Sequence, residues 1–266
     1  LAELKQDRIQ EKIRTIFEPE GLLAKALPRY EFRESQQQMA HMVLRSFLTS
    51  RHALMESGTG TGKSVAYLVP AILWASATGN KIVISTNTIN LQEQLIQKDL
   101  PSLADCLEVE FRYCLVKGRS NYVCHRKLAI LSNEMEDETS DDFRLAFAEF
   151  ISELANVPTG SRSDFHLEAP GEIWDSVSSD SMSCLRTRCP WRKRCYFLKA
   201  RSQMEEADIL VTNHHLLLSD IALRTVMPDS SSSRVLPEYR YLVLDEAHNI
   251  PDVAEEHLGY RASFGN

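Results

Sequence analysis

The stretch ESGTGTGKS, Glu56–Ser64, decides the fold. It follows HALMES (His52–Ser57), a short apolar run that reads as a strand. It precedes VAYLVPAILWASA (Val65–Ala77), which reads as a helix. A loop between strand and helix is where backbone N–H groups and the helix dipole can hold phosphate. Gly58, Gly60 and Gly62 let such a loop curl around a β-phosphate, with Thr59 and Thr61 between them. Lys63 would reach the β- and γ-phosphates, and the Ser64 hydroxyl would ligate Mg²⁺. Ser57 stands where the usual pattern opens with glycine; a small residue serves there.

Outward from this loop the chain alternates helices and strands. Met39, Met42, Val43, Leu44 and Phe47 have helical spacing, and residues 1–27 read as a helical lead-in ending near Pro28. KIVIS (Lys81–Ser85), VEFRYCLV (Val109–Val116), DILVT (Asp208–Thr212) and YLVLD (Tyr241–Asp245) read as strands. LQEQLIQKDL (Leu91–Leu100) reads as a helix halted by Pro101. The pattern predicts an α/β domain with a parallel sheet covered on both faces. Between Gly118 and about Ser202 the rhythm breaks into cysteines, the acidic tract Asn133–Asp142 and the serine-rich Ser176–Ser183, which together read as an insertion. PDSSSS (Pro228–Ser233) reads as a surface loop.

LVLDEAH (Leu242–His248) closes the last strand. Carboxylates at the carboxyl end of a parallel strand lie at the ligand crevice. Asp245 would hold Mg²⁺ through water, and Glu246 would orient and deprotonate an attacking water. His248, beside them, would couple hydrolysis to strand contact; otherwise it is a simple strand-end histidine. Phosphate loop and carboxylate pair together imply NTP hydrolysis.

The totals fit a globular chain of 266 residues, 43% hydrophobic and 25% charged, with a net charge of −7. No apolar run is long enough for a membrane helix, and the N-terminus has no signal-peptide core. The acidic balance argues against a surface that coats nucleic acid throughout, yet allows a local basic track.

Such a track occurs in CLRTRCPWRKRCYFLKAR (Cys184–Arg201), which holds no acid. Arg186, Arg188, Arg192, Lys193, Arg194, Lys199 and Arg201 supply charge, while Trp191, Tyr196 and Phe197 supply rings. Single-stranded nucleic acid needs both, charge for phosphates and rings for bases. In the plainer alternative the cations are solvated and the rings pack inward. Cys184, Cys189 and Cys195 are spaced C-x4-C-x5-C, and Cys124 lies 60 positions before Cys184. Four thiolates can hold a [4Fe-4S] cluster or a tetrahedral zinc, and the spacing leaves both open. The insertion looks too poor in apolar residues to build much of a core, so a metal would hold it together. Cys106 and Cys114 read as buried thiols.

GTGTGKS followed by DEAH resembles the first RecA-like lobe of superfamily 2 helicases. YEFRESQQQM (Tyr30–Met39) resembles the adenine-reading segment of that group, with Arg33 and Gln36 at its Arg-x-x-Gln positions. The resemblance implies that Gln36 bonds the adenine edge, favouring ATP. STNTINLQEQL (Ser85–Leu95) resembles motif Ia, which implies that Thr86 and Thr88 touch nucleic-acid phosphates; a threonine-rich helix cap is the alternative. The cysteine-bearing insert before DEAH, with ADILVTNHHLLLSD (Ala207–Asp220), is similar to the XPD/DinG group of iron-sulfur helicases, its DinG-like bacterial branch above all.

That resemblance implies a [4Fe-4S] cluster on Cys124, Cys184, Cys189 and Cys195, ATP with Mg²⁺, 5′ to 3′ travel, and single-stranded or forked DNA as partner. It implies a helical lead-in at residues 1–29, a RecA-like lobe from 30–117 and 203–266, and a mainly helical iron-sulfur insertion at 118–202. The protein is expected to be a bacterial, cytoplasmic, nucleoid-associated monomer with no membrane contact. The chain has no initiator Met and stops soon after DEAH. A second RecA-like lobe of the same full-length chain is therefore expected, and the part in hand should bind nucleotide weakly and unwind nothing alone. Rival readings are a structural-zinc nucleic-acid-binding ATPase, a P-loop ATPase of non-helicase type, and part of a DinG-like exonuclease with a vestigial motor.

Overall fold

The computed structural model describes residues 2–27, 30–58, 61–135, 140–166, 171–227 and 234–259. It forms two compact units, residues 1–116 with 206–266, and residues 117–205.

The first unit opens with helices α1 (Ala2–Phe17), α2 (Leu22–Ala26), α3 (Glu34–Thr49) and α4 (Lys63–Thr78). Strand β1 (Ile82–Thr86) follows, then α5 (Ile89–Gln94), α6 (Leu100–Cys106), β2 (Tyr113–Leu115), β3 (Ile209–Asn213), α11 (His214–Val226), β4 (Tyr241–Leu244) and α12 (Ile250–Leu258). Helices α7 to α10 belong to the second unit and are described below. The sheet order is β2-β3-β1-β4 and every pairing is parallel. The α/β class expected from the pattern is therefore present. Strand β1 is buried along its whole length and β3 along all but its last residue. That burial is why both read as unbroken β-branched runs rather than as alternation.

The core joins sheet and helices through Ile13, Leu44, Leu68, Ile72, Ile82, Ile84, Ile209 and Val211. Phe47 and Trp74 close over Tyr241 of β4 with ring centroids 5.0 and 5.9 Å away. Asp220 of α11, fully buried, accepts from Arg224 Nε at 2.6 Å and from the Val235 and Leu236 backbone N–H groups. It thereby fixes the chain that leads into β4.

Three expectations are corrected here. HALMES forms no strand and has no ladder partner among the described residues. Only Met55 packs on the core, while Leu54 is 92% exposed. Three apolar residues of which one is partly buried do not bury enough to hold a strand. The helical run does not stop at Pro101: a π-helical turn over Leu95–Asp99 precedes α6. Pro101 then stands at the start of α6, directly after that π turn. The strand expected over Val109–Val116 is reduced to the three residues of β2.

The second unit holds α7 (His125–Glu134), α8 (Asp141–Leu154), α9 (Gly171–Val177) and α10 (Tyr196–Glu206). It has its own core, with Val123, Phe147, Phe150, Leu154, Ile173, Trp174 and Val177 all buried. Phe165 stacks on Phe150 at 4.9 Å and meets Trp174 edge-on at 5.9 Å. The expected shortage of apolar residues is thus corrected: large aromatics make up for few residues. In the acidic tract, Asp141 and Asp142 open α8 behind the Ser140 N-cap, where negative charge meets the helix dipole. Pro228–Ser233 and residues 136–139 lie outside the described residues.

Candidate functional site

The carboxyl ends of β1, β3 and β4 lie along one edge of the parallel sheet. The Asp245 N–H donates to Ser85 O at 2.8 Å, extending the ladder by one residue. Glu246 then turns back with φ 53°, and its N–H donates to Asp245 Oδ1 at 3.1 Å. This turn puts both carboxylates beside the start of α4. Lys63 Nζ lies 3.3 Å from Glu246 Oε1, across 183 residues of sequence. Both side chains are about a quarter exposed, so a ligand can reach them.

Asp245 Oδ2 accepts from Tyr67 OH at 3.0 Å. Burial raises the Tyr67 pKa well above the usual phenol value, and the Asp245 carboxylate raises it further, so Tyr67 stays a donor. The Ser64 hydroxyl bonds the same phenol and works against that rise. Ser64 and Asp245, the two expected Mg²⁺ ligands, therefore meet at one tyrosine. Burial raises Asp99, which also bonds Ser64.

Within the loop, Ser57 and Thr61 share a hydrogen bond of 2.6 Å, and Thr61 donates to Gly58 O at 2.9 Å. Thr59 and Gly60 lie outside the described residues. Gly62 adopts φ 77°, and a Cβ there would come within 2.2 Å of Gln36 Nε2. That amide donates to Gly62 O at 2.9 Å, so buried Gln36 braces the loop. Arg33 lies at the N-cap of α3 and pairs with Glu31 at 3.4 Å. His248 Nδ1 lies 3.5 Å from Glu246 Oε2 and its ring is largely exposed.

Thr88 is exposed and caps α5, accepting from the Leu91 N–H at 3.3 Å; its own O–H remains a donor. Thr86 is a correction. As the last residue of a central strand it is fully buried, so its hydroxyl is not on a surface that a strand of nucleic acid could touch. Sequence reasoning missed Tyr67, and it missed the link made by His214. His214 is fully buried at the start of α11, with Nδ1 2.7 Å from Ser85 Oγ. Burial lowers its pKa against the opposing pull of the Asp245 and Glu246 backbone. A polar residue directly after a buried strand was the only available signal for it.

In the second unit the cysteine-bearing segments converge. Cys124 caps α7, and the next three residues bind the other segments. His125 stacks on Tyr196 at 4.7 Å and on Trp191 at 5.9 Å. Arg126 donates to Ser183 O at 2.8 Å, and Lys127 pairs with Asp180 at 2.7 Å. Short 3₁₀ turns over Arg186–Arg188 and Arg192–Arg194 separate Cys184, Cys189 and Cys195. All four thiols are free and partly exposed. Burial would raise the Cys184 thiol, but the Arg186 N–H and the Arg119 guanidinium outweigh it and leave the pKa below the ordinary value. A lowered thiol pKa favours the thiolate that a metal needs. No three of these sulfurs lie mutually within 4.8 Å among the described residues. A zinc tetrahedron with bonds of about 2.3 Å would need its sulfurs roughly 3.8 Å apart; a cluster of several irons sets them wider. Four partly exposed thiols, one with a lowered pKa, are donors that either group takes.

Arg186, Arg188, Arg192, Lys193, Arg194 and Lys199 are all exposed. Among the described residues none of them pairs with a carboxylate. The rings behave otherwise. Tyr196 lies against His125 and closes on Gly160, where a Cβ would come within 2.3 Å of its ring. Phe197 is covered by the Arg119 guanidinium at 4.0 Å and by Tyr122 at 6.0 Å. The expected stacking faces are therefore largely used inside the unit. Cys106 is buried, and burial pushes the partly exposed Cys114 thiol up to about 12.

Comparison with known proteins agrees with this arrangement. Residues 33–134 match the DEAD/DEAH box helicase family, and residues 84–264 match the DEAD_2 family. ATP-dependent DNA helicase YoaA of Escherichia coli is 34% identical over 93% of this chain and 38% of its own length. ATP-dependent helicase DinG of Mycobacterium tuberculosis is 37% identical over 83% of this chain and 34% of its own. A protein named 3'-5' exonuclease DinG, from Bacillus subtilis, is 32% identical over 92% of this chain and 25% of its own. The chain thus spans well under half the length of these relatives. The DEAD_2 match covers most of the sequence, and the sheet is the parallel α/β sheet of a RecA-like domain. The chain belongs to the DEAD_2 family, and its first half carries the DEAD/DEAH box helicase match.

Proposed function

We infer that this chain is the first motor lobe of an ATP-dependent DNA helicase. The observation that carries this reading is the 3.3 Å approach of Lys63 to Glu246, beside an Asp245 that shares Tyr67 with Ser64. A bound triphosphate would take Lys63 from Glu246 and free that carboxylate for water. Ser64 and Asp245 would hold the Mg²⁺, which would neutralise charge between the β- and γ-phosphates. Gly58, Thr59, Gly60, Thr61 and Gly62 would supply backbone donors, and Lys63 the point charge. Arg33 and Gln36 would face the adenine, Gln36 with the amide atoms it does not use on Gly62.

Residues 30–117 and 203–266 would form the RecA-like lobe, with 1–29 as its helical lead-in and 118–202 as the insert. Cys124, Cys184, Cys189 and Cys195 would hold a [4Fe-4S] cluster, which when bound would fix the Cys184–Cys195 turns in place. Arg186, Arg188, Arg192, Lys193, Arg194 and Lys199 would track the phosphates of single-stranded or forked DNA, aided by Thr88 on the lobe itself. His248, with one ring nitrogen on Glu246, would report strand contact to the catalytic base. Travel from 5′ to 3′, a second RecA-like lobe, monomeric action and a place at the bacterial nucleoid complete the proposal.

The test uses the intact protein, with ATP turnover measured with and without single-stranded DNA. Stimulation by DNA, and loss of turnover in Lys63→Ala, are expected. Turnover indifferent to DNA would instead favour a non-helicase ATPase. Iron and sulfide analysis of the same preparation decides between cluster and zinc.

A further inference from the structure

Away from the phosphate loop, α11 and α12 bring together His215, Glu256 and His257, whose ligand atoms all lie within 4.8 Å of one another. We propose that these three residues form a zinc site that ties α12 to α11, with the fourth position open to water.

The spacing carries the proposal. His215 Nδ1 lies 3.2 Å from His257 Nε2 and 3.5 Å from Glu256 Oε2. Nitrogen and oxygen ligands about 2.0–2.1 Å from a tetrahedral zinc stand roughly 3.3–3.4 Å apart. Both distances therefore match edges of such a tetrahedron, and two histidines with one glutamate are a donor set that zinc takes.

The surrounding hydrogen bonds set the right tautomer. The Ser219 hydroxyl gives its proton to His215 O at 2.7 Å. It can then only accept from His257 Nδ1, 3.2 Å away. The proton of neutral His257 is thereby placed on Nδ1, and the lone pair of Nε2 faces His215. Metal-bound histidines are oriented in this way by a partner on the other ring nitrogen. Helix α11 begins directly after β3, and α12 begins just after the turn that carries Asp245 and Glu246. An ion here would brace the helix behind the carboxylate pair.

The test is a zinc titration by calorimetry, with a parallel thermal melt, on the purified protein. His215→Ala, His257→Ala, Glu256→Gln and Ser219→Ala are compared with the parent, and His166→Ala serves as control. The parent should bind one equivalent of zinc that both histidine variants lose, while the cysteines bind alike in all. Ser219→Ala should weaken that equivalent by about 10–100-fold, and Glu256→Gln at least as much. Zinc should raise the melting temperature of the parent and of His166→Ala alike, that of Ser219→Ala and Glu256→Gln by less, and that of the two other histidine variants not at all. Equal zinc stoichiometry and an equal thermal shift in His215→Ala, His257→Ala and the parent would overturn the proposal.

Discussion

Replacing Gly62 by alanine tests how the phosphate loop is braced. Gly62 has φ 77° and ψ 36°, and a left-handed alanine costs about 1–2 kcal/mol. Its Cβ would also stand 2.2 Å from Gln36 Nε2, so that amide must leave and give up its 2.9 Å bond to Gly62 O. Losing a buried hydrogen bond costs about 1 kcal/mol. The substitution should therefore destabilise the loop by roughly 2–3 kcal/mol. In a Gln36→Ala background the clash is gone and only the backbone part, about 1–2 kcal/mol, remains. The double variant should be less damaged than the sum of the two single variants, by about 1 kcal/mol. Because the chain has two units, whole-protein unfolding is a poor readout. Native-state hydrogen exchange at α3 and α4 reads the loop's surroundings directly. A Gly62→Ala cost that is the same with and without Gln36 would refute the reasoning.

Other outcomes follow from the same structure. His214 is buried with a pKa below the ordinary 6.5, so the unfolded chain takes the proton first. Stability of the first unit should be full above about pH 6.5 and fall below it, and His214→Gln should flatten that fall in an acid titration followed by circular dichroism. Gly160→Ala would drive a Cβ to within 2.3 Å of the Tyr196 ring, next to Cys195. On the proposed cluster reading, it should lower iron content per protein, by metal analysis, without changing nucleotide affinity. On the same proposed reading, removing the cluster's iron should expose the amides of the Cys184–Cys195 turns to exchange, while α8 and α9 keep their protection through the Phe150–Trp174 core.

Much of the molecule can be read from the sequence, and the reason is burial. Strands β1 and β3 are enclosed on both sides, so their apolar runs have one interpretation. The phosphate loop and the carboxylate pair carry signatures that chemistry imposes on spacing. HALMES looked like a strand because pattern records side-chain polarity and not the presence of a ladder partner. Pro101 looked like a stop because a π turn leaves no mark in composition. Thr86 and Thr88 look alike in sequence, yet the strand's last buried residue and the helix cap differ by only two positions. The second unit's core was hidden because its seven buried rings and aliphatics, widely spaced, meet only in three dimensions. Tyr67, Gln36 and His214 support the site from helices, at distances in sequence that no local pattern connects.

The central claim is that Glu246 serves as the base of a DNA-coupled ATP hydrolysis. Single-turnover ATP hydrolysis by the intact protein on single-stranded DNA, comparing parent with Glu246→Gln, tests it most directly. The account predicts that the variant still binds ATP and Mg²⁺ but turns over about 10²–10⁴-fold more slowly. Hydrolysis at the parental rate in Glu246→Gln would contradict it.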